Sequence, residues 1–141
     1  MEYKNKMNLK FLSLAENESF ARLAVASFCS NVDFSIEDIS DIKTAVSEGV
    51  TNAIVHGYDG SIGEIEINCL IFEDYIEIEI IDKGKGIENI QEAITPFFTT
   101  KPDKERSGMG FTVMEGFMDK MEINSSLGEG TKLKLIKNIK K

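Results

Sequence analysis

The sequence contains no tryptophan, a single histidine, two cysteines and two prolines among its 141 residues. One histidine and two distant cysteines give no zinc-ligand spacing. Cys29 and Cys69 fall in an apolar helical pattern and a strand pattern. They are expected as buried, reduced thiols rather than a disulfide. No apolar run approaches the roughly 18 residues that a membrane span needs. The opening MEYKNKMNLKF has no apolar core of a signal peptide, so a cytoplasmic protein with no membrane association is expected. Basic residues are in short supply: 16 Lys and Arg against 24 Asp and Glu give a net charge of -8 and a pI of about 4.7. Such a surface repels phosphate backbones, which argues against direct nucleic-acid binding. A protein partner fits better, as does a small anion neutralised by a metal.

Apolar residues are plentiful, at 42% with nine Phe, enough for one folded domain over residues 1–141. Met7, Leu9 and Phe11 alternate as in a first strand ending near Ala15. Asn17 is expected to cap a helix burying Phe20, Leu23, Ala24 and Phe28. Ser35 to Asp38 resembles a capping box opening a second helix, which runs through Ile42, Val46, Val50 and Ala53 and stops at Gly57. Two period-two strands follow: Ile65, Ile67, Cys69 and Ile71 on one, Ile76, Ile78 and Ile80 on the next, joined by a tight turn at Glu73-Asp74. After Asp82 the chain turns glycine-, charge- and proline-containing up to Arg106, with a short helical pattern near Ile87 to Ile94. A connection of that length is usually functional. A helix from about Gly110 to Lys120, burying Phe111, Met114, Phe117 and Met118, leads into a last hairpin. This order predicts an α+β fold: a two-layer α/β sandwich with helices on one face of a mixed, mainly antiparallel sheet.

Four short stretches carry candidate chemistry. In the second helix, Glu48, Asn52 and His56 are each four residues apart. A four-residue step drifts by only about 40°, so the three share one stripe. By itself this is a solvated helix edge, yet Gly49 costs about 1 kcal/mol against Ala in a helix, and a mid-helix Asn is also unfavourable. Asp82-Lys83-Gly84-Lys85-Gly86 closes a strand with glycines that let backbone approach a ligand. Ser107-Gly108-Met109-Gly110 opens a helix, and glycine-exposed helix N-termini hold phosphates. Lys101, Lys104 and Arg106 lie just upstream, with the hydroxyls of Thr99 and Thr100. Gly128-Glu129-Gly130-Thr131 alone reads as a hairpin turn. Neither a P-loop nor a strand-led dinucleotide fingerprint is present.

Taken in order, the four boxes resemble the GHKL ATP-binding superfamily of histidine kinases, DNA gyrase and MutL-type proteins. "ENESFARLAVASF", "SEGVTNAIVHGY", "PFFTTKPDKERSGMGFTVMEGFMD" and "INSS" narrow the similarity to the anti-sigma F factor family of sporulating bacteria, which are protein-serine kinases. The resemblance implies the ATP-binding (Bergerat) form of the sandwich, with residues 83–107 as a nucleotide lid. It implies ATP or ADP as ligand and Mg²⁺ held by Asn52. Glu48 would orient or deprotonate a serine hydroxyl. Asp82 would accept from the adenine amino group with Thr131 nearby, and Gly84 and Gly86 would pass close to the nucleotide. Gly108, Met109 and Gly110 would face the phosphates, with Thr99, Thr100, Lys101 and Arg106 closing from the lid and His56 on the phosphate side. The implied partners are a sigma factor, an anti-anti-sigma factor phosphorylated on serine, and a second copy of the chain, with Arg22 as a partner contact. Two alternatives stay open: a nucleotide-gated sigma-binding module with little kinase activity, and a general-stress switch kinase.

Overall fold

The computed structural model describes residues 2–90, 94 and 110–139. The elements run β1 (Asn5–Leu12), α1 (Glu16–Cys29), α2 (Ile36–Asn52), a π-helical turn (Ala53–Gly57), β2 (Glu64–Ile71), β3 (Tyr75–Asp82), α3 (Gly110–Phe117), β4 (Lys120–Ser126) and β5 (Gly130–Asn138). The strands form one sheet in the order β1-β2-β3-β5-β4. Every strand pair is antiparallel, so the expected parallel admixture is absent among the described residues. Each neighbouring pair either follows directly in a hairpin or is brought together by returning chain, and no parallel crossover is needed.

Alternation fixes the sheet's two faces. β3 buries Ile76, Ile78 and Ile80 while Glu77 and Glu79 stay on the wetter face. Slipping the register by one residue would drive both glutamates into the core. The pairings Ile67 with Ile80 and Ile78 with Leu135 stack the apolar faces of β2, β3 and β5. Against them lie Ile42, Val46 and Val50 of α2, all fully buried. Each such side chain contributes about 1.5–3 kcal/mol of transfer free energy. Gly49 explains itself here. A Cβ on it would stand 2.5 Å from Ile80 Cδ1 and 3.2 Å from Leu133 Cδ2, so α2 lies directly on the sheet. The glycine serves helix–sheet contact, not a ligand.

The capping box forms as expected. Asp38 N–H donates to Ser35 Oγ at 3.0 Å, and Ser35 N–H donates back to Asp38 Oδ2 at 3.4 Å. The same helix end is tied to the end of β5 on the helix-facing side of the sheet. Buried Lys137 of β5 donates to Asp41 Oδ2 at 3.2 Å and to the carbonyl of Phe117 at 2.6 Å, with Asp38 Oδ1 4.0 Å away. One ammonium thus joins the start of α2 to the end of α3.

The structure departs from several of the expected details. α1 buries Ala21, Val25 and Cys29, while Phe20 and Leu23 are 53% and 54% exposed. Small or short side chains at four-residue spacing let α1 approach closely, Phe28 packs partly buried against the core as expected, and Phe20 and Leu23 are turned outward. Its N-cap is Ala15 rather than Asn17, whose amide donates to Leu12 O from inside the first turn, and β1 ends at Leu12. α3 ends at Phe117, which is 41% exposed, while Met114 and Met118 are buried. Of the short helical pattern near Ile87 to Ile94, only the bond from Ile94 N–H to Ile90 O lies among the described residues. Both cysteines are buried and unbridged. Burial pushes the Cys29 thiol up to about 12 and raises Cys69 further still, so neither is a nucleophile. No helix among the described residues is long and apolar enough to cross a membrane.

Candidate functional site

The polar edge of α2 meets the start of α3. A Cβ placed on Gly110 would lie 3.2 Å from Asn52 Nδ2, 3.3 Å from Asn52 Oδ1 and 3.3 Å from Glu48 Oε2. Glu48, Asn52 and Gly110, far apart in sequence, therefore converge, and only a glycine leaves the carboxylate and the carboxamide uncovered. The Asn52 Nδ2 atom is buried and has no hydrogen-bond partner among the described residues. A buried carboxamide normally satisfies both ends, and an unsatisfied one costs about 1–3 kcal/mol. Such an orphan marks a group held ready for something else. Directly after Asn52 the helix widens into a π turn, in which Tyr58 N–H donates to Ala53 O, five residues back, at 2.9 Å. Widened turns of this kind cluster at functional sites. Here it carries His56 and delivers Gly57 to the end of β3.

There Gly57 meets Asp82. Its hypothetical Cβ would fall 2.9–3.1 Å from the three carboxylate atoms, so the carboxylate is pressed against the bare Cα. Asp82 closes β3 opposite Thr131 of β5 and is 6% exposed. Burial pushes its carboxyl pKa above the ordinary carboxylate value, while the N–H groups of Gly84 and Thr131 partly offset the shift. The Gly84 bond is 2.9 Å. A desolvated carboxylate held by two backbone donors is a fixed acceptor, suited to reading a donor on a ligand.

The neighbouring backbones frame this acceptor at contact distance. Gly84 lies so close to Gly57 that a Cβ would stand 2.1 Å from its carbonyl oxygen, and Lys85 N–H donates to that carbonyl at 2.8 Å. Gly86 is equally tight against the carbonyl of Ser126. Gly130 has φ of 85° and sits over the backbone of Asp82, so both the left-handed conformation and the space demand glycine. Tyr58 braces the corner, accepting from Lys83 N–H at 2.9 Å and donating to Glu64 O at 2.5 Å. Ser125 Oγ takes Ile87 N–H and touches both Gly130 O and Thr131 Oγ1, each at 2.8 Å.

A second feature lies on the other side of Glu48. Arg22, Ser40, Lys43, Thr44, Ser47 and Glu48 line an open cleft of about 170 Å³ between α1 and α2. It is smaller than the roughly 300 Å³ at which small-molecule pockets begin, and suits a single side chain. Arg22 is held by Glu18 at 3.6 Å and by Ser19 Oγ at 3.3 Å.

Of the residues singled out in sequence, Glu48, Asn52 and Gly110 form one cluster, and Asp82, Gly84, Gly86 and Thr131 a second, while His56 lies on the π turn that follows Asn52. Thr99, Thr100, Lys101, Arg106, Gly108 and Met109 lie outside the described residues, as does most of the expected lid. Gly57, Tyr58, Ser125 and Gly130 were not expected as site residues. In sequence Gly57 reads as a helix stop and Gly130 as a hairpin glycine, and no local pattern says what their Cα atoms touch. Gly57→Ala is expected to push the Asp82 carboxylate aside and weaken binding of its ligand about tenfold, the worth of one misplaced charged hydrogen bond. Melting temperature and a binding titration together check this, the first staying near wild type while the second shifts.

Residues 11–137 match the model of the histidine kinase-like ATPase domain. The anti-sigma F factor of Caldanaerobacter subterraneus subsp. tengcongensis is 55% identical over 139 residues, covering 99% of this chain and 97% of that protein. The anti-sigma F factor of Clostridium acetobutylicum is 56% identical over 129 residues, 92% and 90% of the two chains. Among solved structures, the RsbU and RsbW domains of a Mycobacterium tuberculosis protein superpose with a TM-score of 0.70 at 19% identity, covering 96% of this chain and 33% of that one. A blue-light activated histidine kinase domain of Erythrobacter litoralis gives 0.58 at 15%, covering 86% and 60%. These structures share the fold, an α+β sandwich of helices on an antiparallel sheet. The chain belongs to the histidine kinase-like ATPase domain family and, within it, to the anti-sigma F factors.

Proposed function

We propose that this domain binds ATP, inhibits a sporulation sigma factor, and phosphorylates a serine of an anti-anti-sigma protein. The observation that carries the proposal is the convergence of Glu48 and Asn52 beneath Gly110, with the buried Asn52 Nδ2 unpartnered among the described residues and suited to donate to a phosphate oxygen. Phosphoryl transfer asks a protein for position and charge neutralisation more than for covalent chemistry. Asp82 would accept from the adenine amino group. Asn52 would hold Mg²⁺ through its carboxamide oxygen, and the metal would neutralise phosphate charge. The residues fit that ion, because the Asn52 carboxamide oxygen and a Glu48 carboxylate oxygen lie together beside Gly110 and are the hard oxygen donors it takes. Mg²⁺ prefers one or two protein ligands, phosphate oxygens and water.

Glu48 faces two ways, toward Asn52 and Gly110 and into the cleft with Arg22 and Lys43. An acceptor serine entering the cleft meets a carboxylate able to take its proton. Its oxygen then bonds to the γ-phosphorus as the bond to the β-phosphate bridging oxygen breaks, and ADP leaves with that electron pair. His56 on the phosphate side, and Thr99, Thr100, Lys101, Arg106, Gly108 and Met109 in a lid over residues 83–107, complete the proposed nucleotide set. Arg22, flanked by the exposed Phe20 and Leu23, suits an anchor for protein partners, since arginine beside apolar surface is enriched at interface centres. A second copy of the chain is a further partner in this proposal, and β1, an edge strand of the sheet among the described residues, is one surface suited to it.

The test is incubation with Mg-ATP and the cognate anti-anti-sigma protein, followed by mass spectrometry. Phosphoserine on that protein is expected. Bound nucleotide with no phosphoserine would leave a nucleotide-gated sigma-binding module instead.

A further inference from the structure

We propose that Ser125 sets the nucleobase preference of this site by committing the proton of the Thr131 hydroxyl. The inference rests on the nucleotide role of Asp82 and adds a positioning residue to it. Ser125 on β4 lies opposite Thr131 on β5. Its Oγ makes three contacts of 2.8 Å, to Ile87 N, Gly130 O and Thr131 Oγ1.

A hydroxyl has one proton and two lone pairs. The Ile87 amide only donates, so it occupies one lone pair. The Gly130 carbonyl only accepts, so it takes the Ser125 proton. Were that proton turned to Thr131 instead, two oxygens would face each other at 2.8 Å with nothing between them. The one arrangement with a proton in every contact has Thr131 donating to Ser125. Thr131 then presents lone pairs alone to anything else it meets.

Asp82, its neighbour across the β3–β5 ladder, presents a carboxylate that also only accepts. Two fixed acceptors side by side welcome an exocyclic amino group and oppose a carbonyl at the same ring position. A site built to hydrogen-bond one polar group rejects the analogue that reverses it. Ser125 also holds Ile87 N–H, so the same hydroxyl ties the base-reading end to the first residues of the connection after β3.

The experiment is titration of ADP and IDP, which differ in amino against carbonyl at that ring position, into full-length wild type, Ser125→Ala and Ser125→Thr. Wild type is expected to favour ADP. Ser125→Ala frees the Thr131 proton to meet the carbonyl, and the ADP-to-IDP preference should fall about tenfold. Ser125→Thr keeps the hydroxyl and should restore it. Thr131→Val removes the same acceptor from the other side and should narrow the preference equally, which keeps the test open if Ser125→Ala does not fold. Equal weakening of both nucleotides with an unchanged ratio would make Ser125 merely structural and overturn the inference. So would a wild type without preference. Wild type that binds neither nucleotide would sink the nucleotide role of Asp82 itself, a distinguishable outcome.

Discussion

Glu48→Gln is expected to lower the rate of serine phosphorylation by about 10²- to 10⁴-fold, the usual contribution of a positioned general base. Glutamine keeps the length and an acceptor oxygen but cannot take a proton. ATP affinity should change little, because the residues proposed to hold the nucleotide are Asn52 and Asp82 and neither is replaced. Sigma binding should persist for the same reason. The check is the initial rate of phosphoserine formation at saturating Mg-ATP, with a parallel binding titration. A rate within a few-fold of wild type would make Glu48 a positioning group, since Gly110 and the cleft place it correctly whether or not it titrates.

Asp82→Asn is expected to cost about 10²- to 10³-fold in ATP affinity, through one lost charged hydrogen bond and an amide that turns a donor toward a donor. Its effect on stability runs the other way with pH. Burial raises the Asp82 carboxyl pKa in the folded chain above its unfolded value. The protonated form therefore stabilises the fold below the unfolded pKa, and that contribution is lost as pH rises through the higher folded pKa. At neutral pH wild type carries a desolvated charge that asparagine lacks. The melting-temperature difference, variant minus wild type, should favour the asparagine variant most near neutrality and shrink as pH falls into the carboxylate range. A difference independent of pH would contradict the raised pKa. The pattern is the usual exchange of stability for function at a buried polar site.

Periodicity made much of this fold legible in the sequence. The alternating isoleucines of β2 and β3 and the capping box at Ser35 each follow from a local rule, and each forms as read. The phase of α1 did not follow, because Phe20 and Leu23 outweigh Ala21 and Val25 in any count of apolar bulk. Which of them is buried depends on how closely α1 can approach α2. The two clusters of the site are visible in sequence as spaced boxes that include Gly110, but its contact with Glu48 and Asn52 joins distant parts of the chain and exists only after folding. The π turn was invisible for a related reason. Nothing in "AIVHG" distinguishes an α from a π hydrogen bond, and the need to bring Gly57 onto Asp82 is set by the sheet. Ser125 was legible only as part of a quoted motif, because two of its three partners are set by the sheet register and the third by the connection after β3.

The proposed function requires the Glu48–Asn52 edge of α2 to hold the phosphate end of ATP together with its metal. Calorimetric titration of ATP into wild type and Asn52→Ala, each with and without Mg²⁺, tests it most directly. Wild type should bind ATP more tightly with Mg²⁺ present, and Asn52→Ala should lose that difference while keeping the base-directed affinity supplied by Asp82. An Asn52→Ala variant that binds Mg-ATP as wild type does would mean that this edge of α2 does not hold the metal.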